Sequence, residues 1–228
     1  LNKHLHVIAE GPSEMAFVNG KLKQHLNNHN IKTTPHCFGC AMQHGGFAKE
    51  KGFENAKQDI HKFIKETFPG KENCFTTMYD LYALPDDFPE LDKAINIPDV
   101  YEKVDFLEEK FATAINDTRF IPHIQLHELE TIIFADPKVL LVHYKEDIHK
   151  KAIDKLINIV EEKNGNPELI NDGIETCPTS RITNEINRFG KRKRAVWEVI
   201  SENINIDIVR KKCKHFNDWL TILELLGR

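Results

Sequence analysis

Along the first half of the chain the apolar positions switch between two periods. Leu5, Val7 and Ala9 alternate with His4, His6, Ile8 and Glu10, and the run stops at Gly11 and Pro12, which predicts a strand closed by a tight turn. Met15, Val18, Leu22 and Leu26 then recur at helical spacing. The alternation repeats: "IKTTPHCFG" reads as a second strand, and Phe53, Ala56, Ile60, Phe63 and Ile64 mark a second amphipathic helix. "CFTTMYDLY" is rich in β formers, Val100, Val104, Leu107, Phe111 and Ile115 predict a third helix, and "RFIPHIQLHELE" returns to a strand that runs into acids. Strands alternating with helices of this length imply right-handed crossovers, hence an α/β fold with a mostly parallel sheet and helices on both faces. Beyond Asp136 the pattern is mainly helical, broken by the loop "NGNPELINDGIETCPTSR". We therefore expect an α/β core over residues 1–137 and a helical appendage, packed on that core, over residues 138–228.

The chain has 228 residues, enough for one sizeable core with a small addition. With 40% hydrophobic and 29% charged residues, it has the composition of an ordinary soluble protein. No apolar run approaches the roughly 18 residues of a membrane span, and the N-terminus has no cationic region ahead of an apolar block, so a cytoplasmic location is the expectation. Five cysteines are too few, and odd in number, for a disulfide framework. A formal net charge of −4 means that nucleic acid would have to be held by a local basic patch or through metal ions.

In a parallel sheet, ligands bind at the carboxyl ends of the strands. Glu10, Asp80 and Glu128 each stand at such an end in the predicted order. Singly, each has a plain explanation, Glu10 as an acceptor for helix N–H groups and Asp80 as a turn former. Together they repel one another unless a cation lies between them, and hard carboxylate oxygens suit Mg²⁺ or Mn²⁺. Glu14 has a local account as well: with Gly11 as N-cap and Pro12 first in the helix, it falls where a carboxylate complements the helix dipole, and the other expectation is that Glu14 or Glu130 assists at the metal.

The segments "HVIAEGPSE", "TTMYDLYALPDDFP", "RFIPHIQLHELETIIFADP", "PELINDGIETCPTSRI" and "CKHFNDWL" resemble a prokaryotic Toprim-like family catalogued as domain of unknown function 4276. It is related to the Toprim topoisomerases, primases and nucleases. The resemblance runs from near residue 5 to residue 220. It implies a Toprim-like fold and a Mg²⁺ or Mn²⁺ site in which Glu10 matches the first Toprim acid and Asp80 the first acid of an Asp-x-Asp pair. Position 82 is Tyr, so the second acid of that pair must come from elsewhere. Glu128, Glu130, Asp86 and Asp87 are the candidates. If extension continued through "HIQLHELE", Glu128 and Glu130 would share a face; were a helix to begin at His127, they would diverge by roughly 200°. Glu128 is then favoured, with His127 as an acid–base group beside the metal or as a hydrogen-bonded structural histidine.

Phosphodiester cleavage also needs cations for the phosphate. Arg181 can offer a bidentate guanidinium. The run Lys191, Arg192, Lys193 and Arg194 precedes the amphipathic stretch "AVWEVI" and reads either as a phosphate-binding patch or as a solvated basic turn. His36, Cys37, Cys40 and His44 contain a Cys-x-x-Cys with flanking histidines, which raises zinc as an alternative, although the spacing is cramped for a tetrahedral site. No P-loop pattern is present: "FPGKEN" lacks the required glycine and hydroxyl residue. The resemblance implies a separate ABC- or AAA-type ATPase partner and a role in anti-phage defence. The expectation is thus a metal-dependent Toprim-like nuclease acting on DNA or RNA. The alternatives are a non-catalytic Toprim-like subunit that binds nucleic acid or the ATPase, and a zinc-stabilised binding module. A homo-oligomer is left open.

Overall fold

The computed structural model describes residues 3–38, 52–171 and 174–228. Its centre is a parallel sheet built from β1 (Lys3–Ala9), β2 (Ile31–His36), β3 (Asn73–Asp80), β4 (Phe120–Ile121) and β5 (Ile124–Gln125). The order is β2-β1-β3-β4, and β5 also pairs with β3. The last two strands occupy one position in the sheet, interrupted at Pro122 and His123. Across the break, the Thr77 hydroxyl donates to the His123 carbonyl and accepts the His123 N–H, both at 2.9 Å. A side chain thereby replaces the missing ladder bonds.

The sheet is covered on both faces, as the near-continuous burial of β1 and β3 requires. On one face Leu5, Val7 and Met78 pack with Phe17, Leu26, Trp197 and Phe216. On the other Ile8, Phe75 and Tyr79 pack with Phe53, Ile60, Leu107 and Phe111. The crossover from β1 begins with α1 (Pro12–Phe17), continues through a π-helical turn at Val18–Leu22 and ends in α2 (Lys23–Asn27). Gly20 is required in this turn because a Cβ there would stand 2.9 Å from the backbone and side chain of Ser201. The second crossover carries α3 (Phe53–Lys62).

After the short α4 (Leu91–Ala94), α5 (Val100–Ile115) starts at Asp99, whose carboxylate accepts the Tyr101 and Glu102 N–H groups at 2.9 and 3.0 Å. Its buried stripe is Val104, Leu107, Phe111 and Ile115, as the spacing predicts.

Beyond β5 the described chain is mainly helical: α6 (Thr131–Ala135), α7 (Asp147–Glu162), α8 (Pro178–Glu185), α9 (Phe189–Ile200), α10 (Ile206–Lys212) and α11 (Lys214–Leu225). These helices share a core with the sheet. The Phe17 ring meets Trp197 and Phe216 at centroid distances of 6.0 and 6.1 Å, and Trp219 Nε1 donates to Thr76 Oγ1 at 2.9 Å. No helix among the described residues is long and apolar enough to cross a membrane.

Two local expectations are corrected. Extension ends at Gln125 rather than running to Glu130, and no helix begins at His127; His127 has φ +65° and the chain turns through Glu128–Glu130 before α6. The run Lys191–Arg194 lies inside α9 rather than ahead of it.

Candidate metal centre

Because β1 and β3 are adjacent and parallel, their carboxyl ends bring Glu10 and Asp80 to one edge. The Glu10 N–H extends the ladder by donating to the Met78 carbonyl at 3.1 Å, and Glu10 Oε2 accepts the Asp80 N–H at 2.9 Å. The Glu10 carboxylate therefore lies over the end of β3. Glu14 stands at the third position of α1, as its local account predicts, yet it is buried and folded back so closely that a Cβ on Gly11 would meet its Oε2 at 3.2 Å. Asp80 is buried too, and its Oδ1 has no hydrogen-bond partner among the described residues.

Three carboxyl groups held this way resist ionisation. Burial raises Glu10 to about 7, and nearby Glu130 and Glu128 add to the shift. Burial followed by the charge of Glu10 raises Glu14 to about 8. Burial, then Glu10 and Glu14, pushes Asp80 well above the usual carboxylate range.

Glu128 and Glu130 approach from the turn before α6, with one oxygen of Glu128 and both oxygens of Glu130 engaged. Glu128 Oε2 accepts the Thr179 N–H at 2.8 Å, capping the start of α8. Glu130, with no exposed surface, receives Lys193 Nζ at 2.8 Å, Thr179 Oγ1 at 3.0 Å and Trp197 Nε1 at 2.8 Å. Lys193 also donates to Thr179 Oγ1 at 3.2 Å. Burial opposes the Lys193 charge, but the carboxylates of Glu130, Asp80 and Glu128 outweigh it and hold the ammonium above its ordinary range.

Several expected roles change accordingly. Glu130, expected as a metal ligand, is saturated by three donors, and Lys193, expected on a basic surface patch, is the cation inside the acid cluster. Lys191, Arg192 and Arg194 remain on the exposed side of α9, where Arg194 Nε meets Glu198 Oε1 at 2.9 Å. Arg181 Nε donates at 2.6 Å to the Thr176 carbonyl, just ahead of its own helix. His127 donates through Nε2 to the Glu168 carbonyl at 2.9 Å, as a structural histidine does. Tyr82 is 38% exposed, with its ring 5.6 Å from that of His127. Asp87, a candidate for the missing acid, instead caps α3 by accepting the Phe53 N–H at 2.8 Å.

In the zinc candidate, His36 Nε2 bonds His6 Nδ1 at 3.0 Å, while Cys40 and His44 lie outside the described residues. Thr179, Trp197 and the inward course of Lys193 escaped the sequence reading. The last had a signal: Phe189, Lys193, Val196, Trp197 and Ile200 fall on one helical stripe.

The donors at the sheet edge fit a hard divalent cation. They are all carboxylate oxygens, one is buried without a partner among the described residues, and a cation among them would offset the burial that, with neighbouring negative charge, raises all three. The cluster is open rather than closed. Among the described residues only His25, His29 and Glu224, and Glu108, His123 and His215, bring three such donor atoms within 4.8 Å of one another. An ion at Glu10, Glu14 and Asp80 would keep water in its shell, as Mg²⁺ commonly does.

A parallel sheet flanked by helices, with buried acids at the carboxyl ends of adjacent central strands, defines an α/β protein with a candidate cation-binding edge. The chain belongs to the family described as Domain of unknown function (DUF4276), whose model matches residues 9–224. No curated protein matches it. Two solved structures are similar in chain course. One is the C-terminal region of the Burkholderia pseudomallei OLD protein, 15% identical, with a TM-score of 0.48 over 100% of both chains. The other is the C-terminal region of the Xanthomonas campestris pv. campestris OLD protein, 11% identical, with a TM-score of 0.36 over 99% of this chain and 98% of that one.

Proposed function

We propose that this chain is a Toprim-like, Mg²⁺- or Mn²⁺-dependent nuclease that hydrolyses nucleic-acid phosphodiesters, with Glu10, Asp80 and Glu14 holding the metal. The carrying observation is the buried Glu10–Glu14–Asp80 cluster, in which Asp80 Oδ1 lacks a partner and all three carboxyl groups are pushed towards protonation. A divalent ion held there would polarise a phosphoryl oxygen and lower the pKa of a bound water. The protein's own part is to fix the carboxylates on two strand ends and to hold a proton on Lys193 Nζ beside them, so that the net charge of the site is less hostile to a phosphate. Glu128 shapes the same wall by anchoring α8. A polar groove lined by Glu175, Thr176, Thr179, Ser180, Thr183 and Asn184 opens along that helix and gives a nucleic-acid strand a polar path near the acids. Lys191, Arg192 and Arg194 supply exposed positive charge on the neighbouring helix. The family resemblance supports an ABC- or AAA-type ATPase partner and a place in anti-phage defence.

The test is cleavage of DNA and RNA by purified protein, alone and with a neighbouring ATPase, in Mg²⁺, Mn²⁺ or EDTA. Cleavage requires the metal and is lost in Glu10→Gln, which keeps the size of the side chain and removes its charge. Equal cleavage by wild type and Glu10→Gln would assign the activity to another site or a contaminant.

A second reading, a non-catalytic Toprim-like subunit, is favoured by Tyr82 at the position of the second acid and by the full engagement of Glu130. It predicts nucleic-acid or ATPase binding with no cleavage in either metal.

A further inference from the structure

A second cluster lies away from the acidic edge, at the interruption between β4 and β5. Glu108 reaches it from α5, His215 from α11, and His123 is the residue at the break itself. Glu108 Oε1 is 3.0 Å from His215 Nε2 and 3.6 Å from His123 Nδ1. The Ile124 carbonyl oxygen is 3.2 Å from the same His215 nitrogen. A tetrahedral ion with ligand distances of about 2.0–2.1 Å separates its donor atoms by about 3.3 Å, and these spacings bracket that value.

An ion pair between Glu108 and His215 accounts for only one of these contacts. It leaves His123 unexplained: the ring has no exposed surface, and among the described residues neither of its nitrogens makes a hydrogen bond of good geometry, the Gln125 side chain offering a weak contact only. A neutral imidazole always carries one N–H and one lone pair, so a fully buried ring without such bonds forfeits both. Gln125 Oε1, two residues on, is buried and likewise makes no hydrogen bond of good geometry among the described residues. The His123 ring is held in place by packing, against Trp219 at 4.2 Å between centroids and 14° between planes.

The surroundings orient the other two donors. Glu108 Oε1 accepts the Ile124 N–H at 2.7 Å, Asp105 Oδ1 lies 3.9 Å from the opposite ring nitrogen of His215, and the His215 main-chain N–H is fixed by Glu168 at 3.0 Å. Asp105, beyond hydrogen-bond reach, acts on the ring through its charge alone.

We propose that Glu108, His123 and His215 form a structural site for a borderline transition-metal ion of the Zn²⁺ class, with the Ile124 carbonyl in the fourth position. Two imidazoles and one carboxylate suit Zn²⁺ and disfavour Mg²⁺, which separates this site chemically from the all-carboxylate edge. Its placement also gives it a task. It joins α5, α11 and the β4–β5 break, and the next residue but one, Gln125, pairs with Asp80. Metal there would pin the interrupted strand beside the acidic edge without touching it.

Full-length protein stripped with EDTA is titrated with Co²⁺ in excess Mg²⁺, so that oxygen-only sites are filled. We expect one equivalent of Co²⁺ with the intense visible bands of a tetrahedral nitrogen and oxygen site, no thiolate charge-transfer band, displacement by Zn²⁺, and a thermal midpoint that rises with Zn²⁺. His123→Phe, which keeps the stack on Trp219 and removes the donor, should lose the bands while melting in EDTA as wild type does. His25→Asn should keep them. Glu108→Gln gives the same test if His123→Phe does not fold. Only the weak six-coordinate spectrum in wild type, or tetrahedral bands that survive in the folded variant at position 123 or 108, would overturn the proposal.

Discussion

At the scale of single residues, the buried acid cluster ties stability to pH. Burial raises Glu10 and Glu14 to about 7 and about 8 in the folded protein, above the ordinary 4.5 of a glutamate, so the folded protein binds more protons than the unfolded chain. Their contribution is fully present below pH 4.5 and is lost as pH rises through about 7 and 8. In EDTA the thermal midpoint should therefore decline across that window, and Mg²⁺ should flatten the decline by replacing the protons. A midpoint independent of pH there, with or without metal, would contradict the burial of these acids. Lys193 gives a sharper case. Lys193→Met leaves Glu130 charged in a site with no exposed surface, and breaking such a pair costs about 3–5 kcal/mol. Adding Glu130→Gln removes the stranded charge, so chemical denaturation should find the double variant more stable than Lys193→Met alone.

At the scale of elements, what could be read from the sequence depended on how far the supporting contact lies along the chain. The strand and helix order was legible because burial on both faces of β1 and β3 imposes apolar runs, and because α5 carries its own N-cap at Asp99 and its own stripe. Asn205 likewise caps α10 from within the local segment. Other helix starts are satisfied from afar: Asp87 caps α3, Glu128 caps α8 and Glu168 caps α11, at separations of 34, 51 and 47 residues. No local pattern can announce these. The same remoteness explains why the meeting of Glu10 and Asp80 at one sheet edge could be expected, each marking the end of its own strand, whereas the engagement of Glu130 by α8 and α9 could not.

Glu168 offers a test of remote capping. Its two oxygens accept the His215 and Phe216 N–H groups at 3.0 Å each, and Cys213, at the N-cap position, offers no side-chain cap. Glu168→Ala should lower stability by about 1–2 kcal/mol, the range for losing a cap, in urea unfolding. An unchanged midpoint would mean that water replaces the carboxylate without loss.

At the scale of the whole molecule, the division after residue 137 suggested by the change of periodicity meets a core that ignores it. Leu5, Val7 and Met78 from the sheet belong to one buried cluster with Trp197, Phe216, Trp219 and Leu220 from the helices beyond it. The candidate metal edge is composite in the same way, since its carboxylates come from β1, α1 and β3 while its half-buried lysine comes from α9. A fragment ending at residue 137 would expose one whole face of the sheet, including Phe17, whose ring neighbours Trp197 and Phe216 would be gone. It would also lose the donor that satisfies Thr76 and the lysine that neutralises Glu130. Exposed sheet faces of this kind favour association over folding. We therefore expect the fragment 1–137 to lack a cooperative thermal transition and to be digested rapidly by protease, while the full chain melts as one unit. A fragment that unfolded cooperatively as a monomer would show that the helical half is an addition to a self-sufficient core, and the acidic edge could then be studied without Lys193.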